Sequence, residues 1–168
     1  IAANNKSSSL ALKEFRNYTM NDKNTWCVIS IATKSWAKRV FPDLSEDEAV
    51  EKLWEAIFNA TRINTEDPIE AWKEHMNNLK KKVDFLNDLQ LKSLHYTSSN
   101  GTDLVVELPE GHIWAGGGAV DSKCVNFAPN MPTEEVYTMP LKTGVNGIVY
   151  NTKPLNYGGK LIDGFWLK

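Results

Sequence analysis

Apolar residues recur at helical spacing through the first half of the chain and alternate or cluster between turn residues in the second half. Ser9–Tyr18 reads as a short helix. Trp26–Ala32 is a continuous apolar, β-branched run of the kind that forms a strand covered on both faces. Ser35–Val40 predicts another short helix with Trp36 and Val40 on one side. Ser45 and Glu48 then have the S-x-x-E spacing of a capping box. The helix behind that box places Val50, Leu53, Trp54, Ile57 and Phe58 on one stripe. Asp67-Pro68 opens the next helix, with Asp67 as cap, Pro68 in the first turn and Glu70 placed to complete a second box. Its apolar set, Ile69, Trp72, Met76, Leu79, Val83 and Leu86, advances in alternating steps of three and four, which is a packing face.

From Leu94 onward the pattern is β. Asn100-Gly101 is a hairpin-turn signal, followed by Leu104, Val106 and Leu108 alternating with Val105 and Glu107. Further strand candidates are His112–Gly116, Cys124–Phe127, Glu135–Met139, Gly144–Asn151 and Leu161–Leu167. Glycine and proline separate them at short intervals, which points to a sheet or partial barrel with tight turns. The expected fold class is therefore α/β plus β-rich. A strand-and-helix portion over 1–93 ends in a long helix, and a mixed or antiparallel sheet follows over 94–168.

Composition narrows the partners. At 168 residues and 42% hydrophobic the chain can bury a core, and a net charge of −2 offers no basic footprint for nucleic acid or an anionic membrane. The run Cys27–Ala32 is far too short to span a bilayer. Cys27 and Cys124 form no CxxC pair, which suits a reducing cytoplasm. The chain starts at Ile1 and stops within LIDGFWLK, where Phe165-Trp166-Leu167 reads as a strand still under way. A fragment of a longer polypeptide is expected.

The candidate chemistry sits in Asn130–Pro140, NMPTEEVYTMP. Glu134 and Glu135 lie between the bend at Pro132 and the β-favouring run Val136-Tyr137-Thr138. Neighbours at the start of a strand point to opposite faces, so one carboxylate can serve a site while the other meets solvent or a partner. The pair reads either as a charged turn or as a source of cation ligands. Elsewhere the signals are weak. Gly116-Gly117-Gly118 lacks the Gly-Lys-Ser/Thr of a phosphate loop and reads as a flexible turn. His75, His95 and His112 have no metal-ligand spacing, and His75 reads as a packing or surface histidine. Glu74-His75 lacks the second histidine of an HExxH helix. No G-x-S-x-G elbow is present, and Lys80-Lys81-Lys82 reads as a solvated helix face.

Several longer stretches carry a family likeness. WAKRVFP (Trp36–Pro42), DEAVEKLWEAIFNATRI (Asp47–Ile63), DPIEAWKEH (Asp67–His75), LHYTSSNGTDLVVELPEGHIWAGG (Leu94–Gly117) and FAPNMPTEEVYTMP (Phe127–Pro140) resemble the aminopeptidase T, aminopeptidase S and PepS group of metallo-aminopeptidases. The resemblance implies a longer, two-domain, cytoplasmic homodimer, a hydrolase that removes N-terminal residues from peptides with two divalent metal ions. Zinc, cobalt and magnesium are not distinguished. It makes residues 94–168 the start of the catalytic domain, incomplete at its C-terminus. The family's PTEEVFT-like motif falls on Pro132–Thr138, with Tyr137 in place of Phe. Glu135 matches the first metal ligand, and Glu134 is the second choice because relatives can carry a glycine-type turn residue there. The other ligands the family implies are a second glutamate, two histidines and an aspartate, with an H-x-D arrangement, all C-terminal to this motif. After Glu135 the chain has Asp163 but no histidine. No catalytic residue is expected within the 168 residues, and the chain alone is expected to be inactive. Two rival readings are a non-catalytic interaction or regulatory module, docking through Phe165–Leu167, and a nucleotide-binding α/β domain built on Trp26–Ala32.

Overall fold

Side-chain caps start the helices that the apolar pattern predicts. The computed structural model describes residues 2–157 and 160–168, with side chains from residue 7 onward, so Ile1 lies outside the described residues. Thr33 accepts from the Trp36 amide and begins the helix Lys34–Val40. Ser45 accepts from the Glu48 amide while the Glu48 carboxylate accepts from the Ser45 amide and hydroxyl, so the predicted box heads the helix Glu46–Ala60. The Ser45 hydroxyl first, and its amide second, hold the Glu48 carboxyl below its ordinary pKa. The folded value is the lower one, so this contribution is present above the unfolded pKa and fades as pH falls through the folded value. Asp67 accepts from the Ile69 and Glu70 amides and starts the long helix Pro68–Leu89. Glu70, expected to close a second box, instead pairs with Lys73.

The chain divides into two compact units. One comprises Thr19–Lys82 and Gly116–Val136, the other Ile1–Tyr18, Val83–Ala115 and Tyr137–Lys168. In the first, two alanines sit at the centre of the buried cluster. Ala37 and Ala49 are fully enclosed together with Leu53, and Ala32, Phe41, Leu44, Val50 and Ile57 pack around them. Two alanines at this contact let the short helix and the capped helix approach closely. Trp36 and Val40 stay exposed, and Trp54 and Phe58 stack on each other beside a shallow groove rimmed by Glu51, Glu55 and Asn64. On the long helix Leu79 is buried and Trp72 and Met76 are half-buried, but Ile69 at its start is 70% exposed.

The run Trp26–Ala32 differs from expectation. Only Val28–Ile29 forms a strand, paired in parallel with Asn130–Met131, and these two residues are 58% and 62% exposed. A two-residue pair supplies one neighbour and no covering layer, so the apolar run marks a surface rather than a buried strand. A second short pair joins Ala119–Val120 to Asn126–Phe127. The loop between them is tied by Asp121, whose buried carboxylate accepts from the Lys123 and Val125 amides.

The second unit holds a four-stranded antiparallel sheet in the order Trp166–Leu167, Val145–Tyr150, Asp103–Glu107, Ser93–Thr97. Asn100-Gly101 does mark its hairpin, with the turn spread over 98–102. Leu155–Tyr157 pairs with Lys160–Ile162, so the predicted strand Leu161–Leu167 is divided at Asp163-Gly164. Asn87 stands in for a strand neighbour: its side chain accepts from the Trp114 amide at 2.8 Å and donates to the Trp114 carbonyl at 3.1 Å. The helix expected over Ser9–Tyr18 is resolved into Ala2–Ala11 and Lys13–Met20, joined through Leu12. Among the described residues no helix is long and apolar enough to cross a membrane.

One glycine in the sheet is obligatory. Gly147 has φ +125°, and a Cβ there would overlap the Asp103 carbonyl oxygen and stand 2.9 Å from Leu104 Cα. Gly147→Ala is expected to cost about 1–3 kcal/mol, the usual scale of strain in a conformation that L side chains rarely adopt. The check is the urea midpoint at unchanged m-value, and a midpoint equal to the parent's would show that the sheet relaxes.

Candidate functional site

The site begins where the capped helix ends. The Arg62 amide donates to the Asn59 carbonyl at 3.2 Å and the Ile63 amide to the Phe58 carbonyl at 2.9 Å, which is a Schellman termination. Arg62 occupies its left-handed position with φ +60°. Glycine is the usual residue there, and an arginine pays on the order of 1 kcal/mol of backbone strain. Its guanidinium lies over the Trp72 ring, 5.4 Å from the centroid. Trp72 Nε1 in turn donates to the Thr61 carbonyl at 2.7 Å, tying the helix end to the long helix.

His75 follows Trp72 on the same face of the long helix, edge-on to its ring at 5.5 Å. Its Nδ1 is 3.1 Å from Arg62 Nη2 and its Nε2 is 2.6 Å from the Thr133 carbonyl oxygen. A guanidinium only donates and a carbonyl only accepts, so this network assigns the neutral tautomer with the proton on Nε2. The side chain is 11% exposed. A histidine that reads in sequence as packing or surface is thus committed at both ring nitrogens.

These two residues meet the acidic turn. Glu134 Oε1 accepts from Arg62 Nη2 at 2.8 Å, and Oε2 lies 3.6 Å from His75 Nε2. The Glu134 side chain is 60% exposed, so solvent screens this ion pair and its geometry matters more than its energy. Glu135 is exposed and makes no hydrogen bond or ion pair with the described residues. It immediately precedes Val136–Tyr137, which pairs with Ala115–Gly116. The two neighbouring acids therefore have different fates, and both lie just outside the strand that follows them, so docking of the turn and not strand alternation separates them.

Gly116-Gly117-Gly118 packs against the same turn. All three have positive φ, and a Cβ at Gly116 would stand 2.8 Å from the Glu135 carbonyl oxygen. One at Gly117 would stand 3.0 Å from the Lys80 amide nitrogen of the long helix. Close backbone approach accounts for the run, and no helix starts from it. His95 pairs with Asp103 across the exposed hairpin at 2.6 Å, and His112 is buried with Nδ1 on the Pro109 carbonyl. Among the described residues no three His, Cys, Asp or Glu side chains come together as a metal-holding group. Arg62 was invisible to motif reading; its one signal is that neither glycine nor asparagine follows the helix at Thr61-Arg62.

Known proteins share this arrangement of chain. Residues 1–168 match the family described as thermophilic metalloprotease (M29). The chain is 53% identical to aminopeptidase 2 of Geobacillus stearothermophilus over 167 residues, covering 99% of this chain and 40% of that protein. Against aminopeptidase AmpS of Bacillus subtilis the identity is 49% over 167 residues, with the same coverage of 99% and 40%. The structure is similar to wild-type AmpT from Thermus thermophilus, with a TM-score of 0.86 at 41% identity over 94% of this chain and 38% of that one. The chain thus spans about 40% of the length of the curated relatives it matches.

The Trp72–Thr61 bond should be measurable. Trp72→Phe keeps a ring under Arg62 but leaves the carbonyl of the buried Thr61 without its indole donor, at an expected cost of about 1–2 kcal/mol. Chemical denaturation of the variant reports it, and an unchanged midpoint would mean that water replaces the indole.

Proposed function

Since the chain belongs to the M29 family of thermophilic metalloproteases, we propose that it is part of a metal-dependent aminopeptidase and supplies Glu135 as one carboxylate ligand of the metal centre. The observation that carries this reading is the free, exposed carboxylate of Glu135 on a turn whose preceding residues are held by Arg62 and His75. A carboxylate oxygen suits a divalent cation in kind. It does not suffice in number, so the reading assigns the remaining ligands to polypeptide outside these 168 residues. Those are a second glutamate, two histidines and an aspartate with an H-x-D arrangement. Bound metal would polarise the scissile carbonyl and lower the pKa of a coordinated water. Glu135's part is to neutralise charge and present its oxygens from a fixed backbone.

The rest of the reading follows the same membership. Peptides are the substrates, two metals serve each active site, and the parent protein is a cytoplasmic homodimer. Residues 94–168 begin its catalytic domain and the 168 residues alone do not turn over substrate. Leu155, Tyr157, Leu161, Trp166 and Leu167 are exposed at the end of the chain, which supports a reading in which further polypeptide covers them. The same exposed end would suit a non-catalytic module. Reading the parent polypeptide past Lys168 for the glutamate, histidine and H-x-D separates the two.

Two outcomes test the proposal. In the full-length protein Glu135→Gln should keep the fold and lose metal affinity by at least about 100-fold, beyond the range seen when only a ligand's supporting partner is removed. Full turnover with metal retained would take Glu135 out of the site. The 168-residue chain titrated with zinc or cobalt should show no tight one-to-one uptake by calorimetry, and tight stoichiometric binding would contradict the assignment of the other ligands.

A further inference from the structure

We infer that Arg62, His75 and Glu134 are positioning residues, a clamp that fixes the acidic turn so that Glu135 is presented to the metal while Glu134 is withheld from it. The inference rests on the Glu135 reading above. Its first support is which atoms are held. His75 Nε2 takes the Thr133 carbonyl at 2.6 Å and Arg62 takes Glu134 Oε1 at 2.8 Å, so the two residues before Glu135 are fixed by one interconnected pair. The Arg62–His75 contact at 3.1 Å makes that pair a unit. Beyond the turn, the Gly116 backbone lies directly against the Glu135 carbonyl.

The second support is residue type. The left-handed position after the Glu46–Ala60 helix is one that glycine fills without strain, yet arginine occupies it. Terminating the helix does not explain the arginine. Reaching Glu134, His75 and the Trp72 face from one backbone point does. Strain held by surrounding contacts in this way marks positions with a task beyond folding.

The third support is chemical. Metal ligands bind more tightly when their geometry is set in advance, since less conformational freedom is lost on binding. Arg62 also neutralises Glu134, so Glu135 acts as the one uncompensated carboxylate of the pair. His75 contributes a ring N–H aimed at the Thr133 carbonyl.

The test uses the full-length protein and two readouts: amide hydrogen exchange across Thr133–Val136, and zinc affinity by chelator competition. Arg62→Gly relieves the backbone and should fold with a thermal midpoint at or above the parent's. Exchange in the turn should quicken at least about tenfold and zinc affinity should fall about 10–100-fold. Arg62→Lys should recover only part of both, since it keeps the charge without the guanidinium fork. Glu134→Ala, a change at an exposed side chain, should move both readouts in the same direction. If Arg62→Gly leaves exchange unchanged, or quickens it with zinc affinity intact, the positioning role is overturned. Zinc loss in Glu134→Ala without faster exchange would make Glu134 a ligand and overturn its place in the clamp. Glu135→Gln run in parallel separates the two ideas: zinc retained there overturns the ligand reading itself, whatever the exchange of the Arg62 variants.

Discussion

The hydrogen bond from Trp72 Nε1 to the Thr61 carbonyl is the contact on which the site depends. It ties the last carbonyl region of one helix to the flank of the next, and everything downstream inherits that geometry. Arg62 leaves the helix end in a left-handed conformation directly above the same indole. His75, one turn further on, then lies within reach of the Arg62 guanidinium and of the Thr133 carbonyl. A chain segment more than fifty residues away in sequence is thereby held by two side chains on a helix–turn–helix.

That tie also explains why two adjacent glutamates are not interchangeable. Glu134 is paired with Arg62, and Glu135 is exposed and has no such partner among the described residues. Both precede the strand Val136–Tyr137, and which of the two meets the arginine depends on the register in which the turn docks. The glycine run sets that register from the other side, since any Cβ at Gly116 or Gly117 would push the strand from the turn or from the long helix.

Local elements are legible in the sequence where the governing forces are local. The Ser45–Glu48 box, the Asp67 cap and the Asn100-Gly101 hairpin all act within a few residues, so their side-chain chemistry is legible in the string. Packing decides the rest. Trp26–Ala32 looks like a buried strand because apolar runs usually are buried, but its pairing is two residues long and open to solvent. Ala37 and Ala49 form the enclosed contact, not the flanking aromatics, since close helix approach rewards small residues and periodicity alone ranks residues by size and polarity. His75 is silent in the sequence because a lone histidine carries no spacing to interpret.

The sequence by itself determined the helix starts, the turn residues and the family resemblance that singled out Glu135. Each of these is written in neighbouring residues or in contiguous motifs. Only the tertiary structure decided that Arg62, Trp72 and His75 converge on the acidic turn, and that Glu134 rather than Glu135 is engaged. The reason is physical. Hydrogen bonds across long loops depend on how helices dock, and docking is set by the sum of many weak packing contacts that no short stretch of sequence encodes.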